Sequence, residues 1–194
     1  MKKSIIPIVM ALTTVIILIV LSLAIAPNRD PMLSYPPDFT RTSVQVSLDE
    51  LLNVVDNQNF SLYLPSKLPK DLELTNIYLK VKPFIAIVVY SAEGIKDYRE
   101  AEFGIGIERI GTDFTPSYEE LQSQFDKTED VTVLKINDWP AIVRENVHLR
   151  SEKYGDYASI VEVYIEGNLY TLAGPNLSSD DLISIGQSMR VISA

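Results

Sequence analysis

The chain has 194 residues, one histidine, no cysteine and a formal net charge of −9. The missing cysteines exclude a disulfide frame, a zinc ribbon, a thiol nucleophile and a lipobox-type lipid anchor. The acidity argues against phosphate backbones and anionic lipid surfaces as ligands, so no nucleic-acid partner is expected.

Lys2 and Lys3 are followed by SIIPIVMALTTVIILIVLSLAIAP, residues 4–27, without one charge. A bilayer core needs about 20 apolar helical residues, whereas a signal-peptide core has about 7–15. Ala24-Ile25-Ala26 matches a cleavage triplet, but Pro27 would then follow the cut, a poor place for proline. The sequence therefore predicts an uncleaved transmembrane signal-anchor helix over 4–26, with the lipid bilayer as its partner. The two lysines place the N-terminus in the cytoplasm and the rest of the chain outside the cell membrane. Residues 27–46 carry Pro27, Pro31, Pro36 and Pro37 and read as an extended linker. An extracytoplasmic domain over 47–194 follows.

Ser47-Leu48-Asp49-Glu50 is a capping box, and Leu48, Leu51, Leu52 and Val55 continue it as one apolar stripe. Strands are predicted over 60–64, 72–81, 84–90 and 101–110. The third is apolar on both faces and belongs in the middle of a sheet. In the fourth, Phe103, Ile105 and Ile107 face one way and Gly104 and Gly106 the other. Such a glycine pair admits a close neighbour, a packed helix or a bound apolar ligand.

Thr115-Pro116-Ser117 begins a second helix with Tyr118, Leu121 and Phe125 as its apolar side. Residues 131–136 and 141–150 form a hairpin around Asn137-Asp138-Trp139-Pro140, and 157–165 and 169–173 another around Gly167-Asn168. Gly174-Pro175 stops the last strand, and Ser178 caps a final helix with Leu182, Ile185 and Met189 inside. The fold class that follows is α+β: a largely antiparallel, curved sheet, about three helices packed on one of its faces, and one N-terminal transmembrane helix in front.

Chemistry is sparse. His148 sits in a predicted strand with Arg144, Asn146 and Arg150 on its side, where two cations disfavour its protonation. It reads as a solvent-facing strand histidine. The Arg144, His148, Arg150 strip either receives an acidic group of a partner or, as we prefer, pairs with the chain's own carboxylates. No G-x-S-x-G, calcium loop or phosphate-cradling glycine loop occurs. No catalytic residue, metal site or cofactor is therefore assigned. Asn59-Phe60-Ser61 and Asn176-Leu177-Ser178 match the N-glycosylation pattern, a degenerate one.

LPSKLPKDLELTNIYL, residues 64–79, and YTLAGPNLSSDDLISIGQSM, residues 170–189, together resemble the prokaryotic envelope domain of unknown function 4367. The likeness spans about residues 60–190. It implies a domain outside a single N-terminal membrane helix, a sensor-like relation to sigma-factor regulators, and no catalytic signature. With only Met1 to Ser4 expected on the cytoplasmic side, no counterpart of the cytoplasmic zinc module of such regulators is expected. The function expected is a non-catalytic, membrane-anchored binding or interaction module for an envelope protein. The alternatives are a carrier of a lipid or other apolar ligand, with Gly104 and Gly106 lining its groove, and more remotely a carboxylate-dependent hydrolase.

Overall fold

The computed structural model describes residues 39–69, 71–151 and 155–192. The apolar run 4–26 and the linker before Phe39 lie outside them. Among the described residues no helix is long and apolar enough to cross a membrane.

Three helices start by the same device. Ser47, Ser117 and Ser178 stand in extended conformation before α2 (Leu48–Asn57), α3 (Tyr118–Phe125) and α4 (Ser179–Gln187). In each, the serine hydroxyl accepts from the backbone N–H three residues on, at 3.2 Å. The acid at that position, Glu50, Glu120 or Asp181, accepts from the serine's own N–H at 2.7, 2.7 and 3.0 Å. Two orphan donors per helix are satisfied, and an anion lies at the positive end of the dipole. Asp181 shows that the shorter acid closes the box as well as glutamate.

The helices lie on a sheet whose strand order is β1-β3-β4-β5-β9-β8-β7-β6, antiparallel throughout. Its members are β1 (Val44–Gln45), β3 (Glu73–Lys80), β4 (Ile85–Ser91), β5 (Phe103–Arg109), β6 (Val131–Ile136), β7 (Trp139–Ser151), β8 (Gly155–Ile165) and β9 (Asn168–Ala173). The fold is thus α+β with a mostly antiparallel sheet, as read from the sequence. A separate ribbon pairs β2 (Leu62–Pro65) with β10 (Met189–Ile192).

The first face of the sheet carries the main core. Phe103, Ile105, Ile107, Ile136, Val161, Val163 and Leu172 are fully buried there against Leu51, Leu52, Val55, Leu182 and Ile185 of α2 and α4. Each such side chain contributes about 1.5–3 kcal/mol of burial. The second face carries Tyr78, Ile87, Val89, Ile160 and Ala173, packed under Phe39, Tyr98 and Ala101.

Three features differ from the sequence reading. The linker assignment of 27–46 gives way at Phe39: α1 (Phe39–Thr42) buries Phe39 edge-on against Tyr98, and Val44 and Gln45 pair with Leu79 and Tyr78. Prolines stop at position 37, and the first aromatic beyond Asp38 is the one that packs. The helices do not share one face. α3 packs on the second face, where Lys135 lies over the Tyr118 ring and Arg144 over the Phe125 ring, while α2 and α4 are on the first. An amphipathic stripe states that a helix buries one side but not which face of a sheet receives it. Finally, α4 ends at Gln187 and Met189 belongs to β10, fully buried all the same.

Candidate functional site

Strand β7 has 13 residues and β8 has 11, but only Ile160 to Ile165 of β8 pair with β9. Beyond Ile160 the β7–β8 pair continues as a two-stranded arm, past the last rung of the sheet. Its root holds a β-bulge. Arg144 is opposite Ile160 and Val147 opposite Ala158, so Glu145 and Asn146 together oppose Ser159. Asn146 takes the left-handed conformation at φ 55°, a backbone that asparagine tolerates better than most residues. Its side-chain amide donates to Asp130 Oδ1 at 3.3 Å, and the Glu145 N–H to Asp130 O at 2.9 Å. Bulges re-aim side chains and recur next to functional sites.

The bulge turns Glu145 toward the start of α4. The Ser179 hydroxyl donates to Glu145 Oε1 at 3.0 Å across an open cleft of about 350 Å³. Glu145, Asn146, Ser159, Ser178 and Ser179 line it together with Ala158, Pro175 and Leu177. The lining is mostly hydroxyl, amide and carboxylate. It offers both donors and acceptors, which suits a peptide or glycan segment better than an apolar ligand. The sequence reading missed it. Its one local signal was Asn146 inside a strand pattern, a residue type depleted in strands.

The bulge also breaks the strip read from the sequence. Alternation along β7 shifts by one residue, so Arg144 shares its face with Val147. The alternation that would join Arg144 to His148 and Arg150 is interrupted between them. Arg144 itself is engaged: its Nε donates to Glu162 Oε2 at 3.1 Å, and its guanidinium stacks 5.1 Å from the Phe125 ring centre. This is the internal pairing preferred above. At His148 and Arg150 the backbone alone is described.

Gly104 and Gly106 are buried in the middle of β5. Gly104 is in register with Val89 and Ala173, and Gly106 with Ile87 and Thr171. Val89, Ala173 and Ile87 belong to the cluster that Phe39 and Tyr98 cap. Tyr98 is held in place by its loop: Ile95 O accepts from Thr75 Oγ1 at 2.6 Å, and Lys96 O from Tyr78 Oη at 3.1 Å and Asn76 Nδ2 at 3.3 Å.

The same loop holds a carboxylate. Burial raises the pKa of Glu102, but the Ser91 hydroxyl and the backbone N–H groups of Glu102, Glu93 and Ala92 outweigh it and hold the group below the ordinary carboxyl value. Its Oε2 is buried without a hydrogen-bond partner. A carboxyl whose folded pKa is depressed adds stability above its unfolded pKa and loses it as pH falls through the folded value. Urea midpoints at neutral and acid pH should therefore converge in Glu102→Gln, whose neutral-pH midpoint drops most. An unchanged pH dependence in the variant would remove Glu102 from this role.

Among the described residues no three His, Cys, Asp or Glu side chains are grouped to hold a metal ion. Asn59 and Asn176, the two glycosylation-pattern asparagines, are exposed. No protein-family model matches the chain, and no curated protein sequence matches it.

Proposed function

We propose that the chain is a membrane-anchored extracytoplasmic interaction module, non-catalytic, that binds an envelope protein or glycan segment at the cleft beside the β7–β8 arm. The observation that carries this is the arm with its bulge. A two-stranded ribbon leaves the sheet, and Glu145, Asn146, Ser159 and Ser179 converge at its root. Both faces of the sheet proper are occupied by packing. Recognition is therefore assigned to this arm rather than to a sheet face. The uncharged run 4–26 supports the anchor, and the two stretches resembling the domain of unknown function 4367 support the envelope location.

A photo-crosslinking residue in place of Ser159, in the full chain in its native membranes, should trap one discrete partner. The same residue in place of the exposed Ser123 of α3 should trap none. Equal products from both positions, or none from Ser159, would overturn the reading. Extraction at alkaline pH separately tests the anchor, which should keep the chain in the membrane pellet.

A further inference from the structure

One end of the sheet gathers exposed apolar side chains. Of the five large hydrophobic residues exposed among the described ones, three lie there: Phe114 at 77%, Val44 at 60% and Val81 at 43%. Their proximity follows from topology. β3 ends at Lys80 and β4 starts at Ile85, so the 81–84 turn lies at this end. β5 ends beside it at Arg109, whose N–H donates to Phe84 O at 3.3 Å, and leads to the 3-10 turn Thr112–Phe114. Val44 is opposite Leu79, one residue inside the same end.

The Phe114 turn is fixed rather than loose. Gly167 O accepts from the N–H groups of Ile110 at 3.0 Å and Gly111 at 2.9 Å. Lys80 and Lys82 flank Val81, and among the described residues neither is paired with a carboxylate. Arg41 is exposed on α1. Asp113 beside Phe114 and Glu166, next to the Gly167 that holds this turn, are exposed acids. The chain as a whole is acidic and repelled by anionic lipid, but apolar tips flanked locally by lysines suit the boundary of an anionic bilayer, where aromatics sit at headgroup depth and cations meet lipid charge.

β1 runs antiparallel to β3, so the backbone enters the sheet from the Lys80 end. Between the predicted anchor and Phe39 lie residues 27–38, which reach at most about 40 Å. That segment joins α1, whose Phe39 packs on the second face of the sheet against Tyr98.

We infer that this end of the sheet rests on the membrane, with Phe114, Val81 and Val44 entering the interface and Lys80 and Lys82 contacting anionic headgroups. The inference rests on the anchored reading above. It leaves the β7–β8 cleft, at the opposite end of the sheet, facing away from the bilayer.

The cysteine-free chain makes the test clean. Phe114→Cys, Val81→Cys and, at the far end, Glu93→Cys are each labelled with an environment-sensitive dye. The full chain is reconstituted into vesicles of phosphatidylcholine and phosphatidylglycerol. Labels at 114 and 81 should be several-fold brighter and blue-shifted relative to 93. Adding Lys80→Glu with Lys82→Glu should reduce the gain at 114. A chain that floats with the vesicles but gives equal emission at 114 and 93 overturns this inference and leaves the anchor standing. A chain that does not float overturns both.

Discussion

Replacing Tyr170 with alanine should destabilise the domain by about 4 kcal/mol, in the upper range for removing a core aromatic. Tyr170 is fully buried in the middle of β9. Its ring packs edge-on to Tyr63 at 6.3 Å, and Tyr63 in turn to Trp139 at 5.1 Å. Its hydroxyl accepts from the Tyr63 N–H at 3.1 Å and donates to Ser61 O at 3.4 Å. One side chain thus ties the β2–β10 ribbon to the sheet by packing and by hydrogen bonds. Burial drives its phenol pKa well above the ordinary value, so it stays protonated and able to donate. Tyr170→Phe separates the two contributions. It keeps the ring and leaves a buried N–H unpaired, which costs about 1–3 kcal/mol. Unfolding midpoints of the two variants measure the partition. Equal losses would mean that the hydroxyl, not the ring, holds the ribbon, and a small loss in both would mean that the ribbon docks independently of Tyr170.

The contrast between what the sequence showed and what it concealed follows one line. Local signals transmitted well. Ser47 with Glu50 and Ser178 with Asp181 each started a helix where read, because capping is a contact over three residues. The alternation of Phe103, Ile105 and Ile107 placed all three in the first-face core, because a strand has period two. Non-local choices did not transmit. The face chosen by α3 depends on Lys135 and Arg144, which come from strands later in the chain. The bulge at Glu145-Asn146 depends on Asp130, which takes the hydrogen bonds of both residues. One inserted residue then reverses which face each later side chain takes, and with it the fate of the Arg144, His148, Arg150 strip. The β2–β10 ribbon joins segments more than a hundred residues apart and leans on Ser188. That hydroxyl donates to Ile185 O at 2.8 Å and accepts from the Lys67 N–H at 3.3 Å. The candidate cleft lies where two such non-local choices meet, so no window of sequence contained it.

Gly167→Val should cost about 3 kcal/mol or more, from two causes that act at one atom. The turn between β8 and β9 is made by Glu166 at φ 49° and Gly167 at φ 79°, the left-handed pair that a two-residue hairpin requires. A β-branched residue there is strained in its backbone conformation, at a cost of order 1–3 kcal/mol. A Cβ on Gly167 would also lie 2.8 Å from the Thr112 backbone nitrogen and 3.0 Å from the Gly111 carbonyl carbon, neither of which can swing aside. Forcing them apart costs a further 1–3 kcal/mol or so. That displacement acts on the 110–114 segment, where Gly167 O receives the Ile110 and Gly111 N–H groups. Gly94, at φ 75° with open space around its Cβ position, is the matched control. Gly94→Val carries the conformational cost alone and should lose about half as much. If the two variants lose the same stability, the close approach of the two loops contributes nothing. If Gly167→Val loses more and also lowers the membrane-induced brightening of a label at position 114, the hairpin turn is what holds Phe114 in place for the bilayer.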